Sequence, residues 1–302
     1  MAEQHALLVA VSGYPTLPKH RQLFGPKHDA VAMHDFLLER QGVARDRIIM
    51  LADQVKNAND LPTRQRILEA LAAIAGQVQQ GDKVWLYFAG HGSQQPQPPN
   101  PRTREADGLD EIFLPQDVGH WDGEIGSVIN AIIDDELDDA LEAIRARGAG
   151  VVAIFDTCHA ADSVRGGASG ERMRGLPGKD LGIPKIGTAV IKPGDMRKSP
   201  VRDMPHGSTS APASIKTTSI AQNKKGTLTA LYASASHEST PEMSLPTWSP
   251  VSKPRGLFTH TLLDVWTKHP QASPAELVSA IKLQYKKLGR TAPTPASEVA
   301  LR

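Results

Sequence analysis

The chain has a single cysteine, Cys158, among 302 residues, so it forms no internal disulfide, and one thiol cannot by itself build a zinc site. It also lacks any apolar run near the roughly 18 residues that a membrane helix needs. The apolar stretch Ala6–Val11 has no basic segment and no cleavage site before it, which argues against an export signal. Nor is there an excess of one charge: 34 Lys and Arg stand against 33 Asp and Glu, which disfavours a uniformly basic nucleic-acid binder and an acidic solvating chain. The expectation is a soluble, cytoplasmic protein without membrane association, long enough for one large α/β domain or two small ones. A lone thiol is then retained for packing or for reactivity, and the position of Cys158 decides between them.

Short apolar runs of strand length recur at Ala6–Val11, Arg47–Leu51, Val84–Ala89 and Val151–Phe155, the pattern of parallel strands covered on both faces. Helical patterns alternate with them. Asp29–Arg40 is one; Thr63 is placed to cap a second, with Ile67, Leu68, Leu71, Ile74, Ala75 and Val78 on one stripe. Asp134 or Asp135 opens a third, with Leu137, Ala140, Leu141 and Ile144 inward. Later come a strand at Leu228–Ala233, a helix at Leu257–Trp266, and the capping box Ser273-Pro274-Ala275-Glu276 before a helix running to about Leu288. This predicts an α/β fold with one mostly parallel sheet and helices on both faces. Between the halves, residues 165–225 carry twelve Lys and Arg against four acids and no Phe, Trp or Tyr. That stretch is rich in Gly, Pro, Ser and Thr and reads as a long disordered insertion. Ser93–Gly108, with Pro96, Pro98, Pro99 and Pro101 among glutamines, is likewise expected to be irregular.

Sites in open α/β sheets form at the carboxyl ends of the strands. Val84–Ala89 runs into Gly90-His91-Gly92-Ser93, and Val151–Phe155 into Asp156-Thr157-Cys158-His159. A thiol near its usual pKa is mostly protonated at neutral pH, and an imidazole can take its proton, which makes Cys158 and His91 the natural pair. The backbone N–H groups of Gly92 and Cys158 would face a developing oxyanion. His159, adjacent to Cys158 on an extended segment, should point the other way. Asp156, two residues before Cys158, lies on the same face, where its charge would raise the thiol pKa unless a substrate cation neutralised it. A carboxylate there points to recognition of Arg or Lys; a turn-forming aspartate is the structural alternative.

The segments Tyr87-Phe88-Ala89-Gly90-His91-Gly92-Ser93-Gln94, Asp110-Glu111-Ile112-Phe113-Leu114-Pro115-Gln116-Asp117, Ile133-Asp134-Asp135-Glu136-Leu137 and Asp156-Thr157-Cys158-His159-Ala160 together resemble the caspase-like cysteine peptidases of family C14. Within them the match is closer to metacaspases and their bacterial relatives than to animal caspases. It covers Ala6 to about Asp162 and resumes at Leu228–Trp266 through Ala230-Leu231-Tyr232-Ala233-Ser234-Ala235-Ser236 and Gly256-Leu257-Phe258-Thr259.

The resemblance implies a caspase-like fold. Residues 1–164 would be a large-subunit-like half, 165–225 a mobile basic linker, 226–290 a small-subunit-like half of the same domain, and 291–302 a tail leading to whatever follows. It places the catalytic dyad on His91 and Cys158, and an acidic pocket for substrate Arg or Lys on Asp29 and Asp156. Calcium, which the thiol chemistry itself does not require, would be held by Asp110, Asp134 and Asp135. Those last two equally suit a helix N-terminus, and the Arg165 region stands where some members carry a further acid. The expected partners are peptides or proteins with Arg or Lys at the cleaved position, acting on a monomer, with nucleic acid disfavoured. Self-cleavage in the linker, as in a zymogen, would follow Arg165, Arg172, Arg174, Lys179, Lys185, Arg197, Lys198 or Arg202. The rival reading is a catalytically silent caspase-fold scaffold that recruits partners.

Overall fold

Alternation along the central strands sorts the core into two layers. The computed structural model describes residues 2–98, 101, 105, 107–158, 171–184, 225–235, 238–247 and 249–300. In chain order its elements are β1 (Gln4–Ala10), α1 (Pro26–Arg40), β2 (Ile48–Ala52), α2 (Arg64–Gln77), β3 (Lys83–Ala89), β4 (Gly92–Pro96), β5 (Leu109–Phe113), β6 (Trp121–Asp122), β7 (Ser127–Val128) and β8 (Ile132–Ile133). They continue with α3 (Asp134–Ala146), β9 (Gly150–Asp156), β10 (Arg172–Met173), β11 (Leu228–Tyr232), β12 (Pro241–Leu245), β13 (Lys253–Gly256), α4 (Leu257–Lys268), α5 (Pro274–Lys287) and β14 (Ala296–Ala300). The main sheet runs β14-β11-β9-β3-β1-β2, parallel except for the edge strand β14.

Side chains on a strand alternate between faces. Leu7, Val9 and Val11 with Val84, Leu86 and Phe88 therefore pack under α2 and α3, against Ile67, Leu71, Ile74, Leu141 and Ile144. Their neighbours Leu8 and Ala10, with Trp85 and Tyr87, pack on the opposite face against Met33 and Leu37 of α1, Phe258 and Leu262 of α4 and Ile281 of α5. Continuous apolar strands and helices on both faces are thus the same fact, as expected from the sequence. The Thr63 hydroxyl accepts the Arg66 N–H at 3.4 Å, and Ser273 with Glu276 forms the reciprocal box that opens α5.

Three stretches depart from the sequence reading. Gly92–Pro96 is not irregular but pairs antiparallel with β5, because its prolines fall beyond the paired residues or at the strand's last position. Residues 171–184, inside the stretch read as a linker, are built into the fold: β10 pairs with β12, and Arg174, Leu176 and Leu181 are fully buried. Composition averaged over a long window conceals a few anchoring residues. The tail is also structured in part, since β14 closes the β11 edge of the sheet. Residues before 185 and after 222 belong to one compact unit. Among the described residues no helix is long and apolar enough to cross a membrane.

Leu8 lies at mid-strand in the sheet and is fully buried. Leu8→Ala is expected to lower the unfolding free energy by about 2–5 kcal/mol, checked by urea denaturation. A cost below about 1 kcal/mol would contradict this two-layer core.

Candidate active site

β3 and β9 are neighbours in the sheet, and their register pairs Ala89 with Asp156 at the carboxyl end. His91 and Cys158 each follow two residues beyond that last pair, so parallel pairing alone carries both to the same edge. The His91 backbone N–H donates to the Tyr14 hydroxyl at 2.7 Å. His91 Nε2 lies 2.7 Å from the Arg21 carbonyl oxygen and Nδ1 lies 3.1 Å from the Arg174 carbonyl oxygen. Burial pushes the imidazole down to about 4, against the pull of these two carbonyls, so the ring is neutral at pH 7 and carries one N–H. Both ring nitrogens thus face carbonyl oxygens, and the single N–H can serve only one of them; the Arg21 carbonyl is the nearer. Cys158 is buried, and its thiol donates to the Glu238 carbonyl. His159 lies outside the described residues, as do Arg165, Lys185, Arg197, Lys198 and Arg202.

Asp29, in the first turn of α1, and Asp156, at the end of β9, are both fully buried and face one occupant, the guanidinium of Arg174. Arg174 Nη2 lies 2.5 Å from Asp29 Oδ2, and Nη1 lies 2.9 Å from Asp156 Oδ2 and donates to the Asp156 carbonyl at 3.0 Å. Glu242 of β12 adds a third carboxylate at 4.0 Å. The Thr259 hydroxyl and N–H donate to Asp156 Oδ2 at 2.5 and 3.1 Å, and the Gly256 N–H donates to Asp29 at 2.8 Å. Gly256 is required by close approach: a Cβ there would lie 2.3 Å from Asp156 Oδ2 and 2.7 Å from Arg174 Nη2. Burial works to lower the Arg174 pKa, but the carboxylates of Asp156 and Asp29 overcome it and raise it, so the guanidinium stays charged. Burial pushes the Asp29 carboxyl up while Arg174 pulls it back, and Asp156 adds to the rise. Two desolvated carboxylates in one site are relieved by protonation or by a cation between them, and here Arg174 supplies the cation.

The backbone around Arg174 is held as firmly as its side chain. Its N–H donates to the Thr240 carbonyl at 3.0 Å, continuing the antiparallel pairing of β10 with β12. Its carbonyl accepts the Gly92 N–H at 3.0 Å. Beyond it the Leu176 N–H donates to the Gly92 carbonyl at 2.9 Å, and the Ser93 hydroxyl donates to the Leu176 carbonyl at 2.8 Å. The segment thus lies in an extended groove with Arg174 in the acidic pocket and its carbonyl on Gly92. Sequence reasoning missed Tyr14, Glu242, Gly256 and Thr259, which become partners only through long-range packing. Of these, only Gly256 and Thr259 stood within a quoted motif.

Asp110, Asp134 and Asp135 gather around β5 and the start of α3. Burial pushes Asp134 up to about 7, and Asp110 and Asp135 contribute to the rise. Asp134 lines a cavity of about 210 Å³ with Glu111, Phe113, Phe155, Thr157 and Tyr232. Among the described residues, however, no three His, Cys, Asp or Glu side chains converge as a metal-ligand set.

The pocket's charge balance is testable on a thiol-free chain. In the Cys158→Ala background, Arg174→Met keeps the bulk, deletes the cation, and is expected to lower the unfolding free energy by about 3–5 kcal/mol at neutral pH. Arg174 pulls the Asp29 carboxyl down against burial and Asp156, so removing it raises that carboxyl further above its unfolded value. Ionising it then costs the variant more than the parent, and the deficit should grow with rising pH and shrink on acidification. Urea titrations at a series of pH values decide it; a small, pH-independent deficit would contradict the assignment.

Comparison with known proteins follows the same residues. A family model described as "Metacaspase, peptidase C14 domain" matches residues 4–165. The chain is 32% identical over 158 residues to Metacaspase-1B of Aspergillus fumigatus, covering 52% of this chain and 35% of that protein. It is 28% identical over 157 residues to Metacaspase-1 of Schizosaccharomyces pombe, covering 52% of this chain and 34% of that one. The match therefore spans about a third of the length of these relatives. In fold, it is similar to protein GSU0716 from Geobacter sulfurreducens, with a TM-score of 0.58 at 19% identity over 99% of this chain and 92% of that one. With the model covering more than half its length, this chain belongs to the metacaspase family of peptidase C14 domains.

Proposed function

We propose that the protein is a cysteine endopeptidase that cuts after Arg or Lys, and that the Arg174–Gly175 bond is its own first substrate. The observation that carries this reading is the occupancy of the acidic pocket by Arg174 while the adjoining carbonyl accepts the Gly92 N–H. A substrate arginine needs both placements, one for its side chain and one for its scissile carbonyl.

On this reading, the chemistry is assigned to the groups at the strand ends. Cys158 Sγ turns from the Glu238 carbonyl and gives its proton to the Nδ1 lone pair of His91, which Nε2–H···O=C to Arg21 keeps in the right tautomer. Sγ attacks the carbonyl carbon, and the resulting oxyanion is held by the Gly92 N–H together with the Cys158 N–H. Nδ1–H then donates to the leaving amine, the nitrogen of Gly175, and a thioester remains on Cys158. Water hydrolyses the thioester with the imidazole again as proton acceptor. Asp29 and Asp156 anchor the cation throughout. An aspartate in place of the arginine would add a fourth carboxylate to Asp29, Asp156 and Glu242, which opposes animal-caspase specificity. Calcium at Asp110, Asp134 and Asp135 is assigned no step.

The silent-scaffold reading corresponds to a chain in which Arg174 never leaves. Mass spectrometry of the purified protein separates the two. Wild type is expected to yield fragments 1–174 and 175–302, while Cys158→Ala stays whole. On fluorogenic peptides His91→Ala should lose about 10²–10⁴-fold in rate, and turnover should appear with Arg or Lys but not Asp at the cleaved position. Intact wild type with no peptide turnover, with or without added calcium, would support the scaffold instead.

A further inference from the structure

We propose that the groove carries a second cation site, two residues upstream of the cleaved bond, so that its preferred substrates have the form Arg-x-Arg or Lys-x-Arg. This rests on the peptidase reading above and adds to it the residues that would read the upstream position.

The site is visible because the chain's own segment fills it. In the extended run ending at Arg174, Arg172 lies two residues earlier and so on the same side of the strand. Its guanidinium carbon stands 4.4 Å from the centroid of the Phe24 ring. Its Nη1 donates to the carbonyls of His20 and Gln22, both at 3.3 Å. Aromatic face and carbonyl oxygens are both partially negative, and neither rewards a neutral side chain comparably. Phe24 is otherwise a surface ring, 40% exposed, and its backbone is held from beneath. The Glu242 carboxylate, itself 2% exposed, accepts the N–H groups of Phe24 and Gly25, both at 2.8 Å, and stands opposite Arg172 in the β10–β12 register. A buried carboxylate thus anchors the backbone that carries the ring and adds its own attraction for a cation. Lys27 is the competing cation for that ring, but its Nζ is 6.0 Å from the centroid and donates to Gln54 at 2.8 Å.

Glu242 therefore links two subsites, lying 4.0 Å from the Arg174 guanidinium on one side and organising the Phe24 site on the other. An external peptide taking the same path along β12 would present its third residue from the cut to Phe24.

The test compares quenched peptides Glu-Arg-Met-Arg-Gly-Leu-Pro and Glu-Ala-Met-Arg-Gly-Leu-Pro on the full-length enzyme. The first is expected to show about a tenfold higher kcat/KM, equivalent to about 1.4 kcal/mol. Phe24→Ala should bring that ratio close to one while the preference for Arg over Asp at the cleaved position persists. Phe24→Trp, which keeps an aromatic face, should retain the ratio. Equal cleavage of the two peptides by wild type would overturn the second cation site alone. Failure to cut either one would overturn the peptidase reading beneath it, and the site with it.

Discussion

A guanidinium with no exposed surface must be met by negative charge, and the strand-end edge of this fold is organised around that requirement. Arg174 satisfies it with Asp29 and Asp156 at ion-pair distance and Glu242 just beyond. These groups come from α1, β9 and β12, elements far apart in the chain, and each is fixed by its own hydrogen bonds to Gly256, Thr259, Phe24 and Gly25. Desolvating the ionised carboxylates is costly, and the cation between them offsets that cost. The pocket is thus organised around the basic side chain of Arg174.

Anchoring the side chain also determines where the peptide bond lies. With the guanidinium on β9 and α1 and the carbonyl on Gly92, the bond following Arg174 is held at the edge where β3 and β9 deliver His91 and Cys158. The imidazole is kept neutral by burial and oriented by Arg21 and Tyr14. The acidic pocket and the His91 edge are joined through the Arg174 backbone, whose carbonyl lies on the Gly92 N–H and 3.1 Å from His91 Nδ1.

Much of this was legible in the sequence because it depends on local pattern. Apolar runs gave the strands, Thr63 and Ser273 marked helix starts, and parallel pairing was enough to bring Gly90-His91-Gly92 and Asp156-Thr157-Cys158 to one edge. Asp156 stood out because a carboxylate two residues from a reactive thiol needs a cation to offset it. What escaped depends on contacts between distant residues. Arg174 was one of many basic residues in a stretch whose composition argues for disorder, and its burial follows from three carboxylates that no local window contains. Gly92–Pro96 was obscured by the prolines around it, and β14 by its polar, half-exposed sequence. Glu242 and Tyr14 carry no motif at all.

The central claim is that one acidic pocket receives arginine beside a reactive thiol and is held closed by Arg174. Alkylation of Cys158 by a peptidyl-arginyl chloromethyl ketone, followed by mass spectrometry, tests it most directly. Labelling should be confined to Cys158, should greatly exceed that by the aspartyl reagent, and should proceed faster in Arg174→Ala than in the uncleaved wild-type chain. Equal labelling by both reagents, or a rate indifferent to Arg174, would contradict the account.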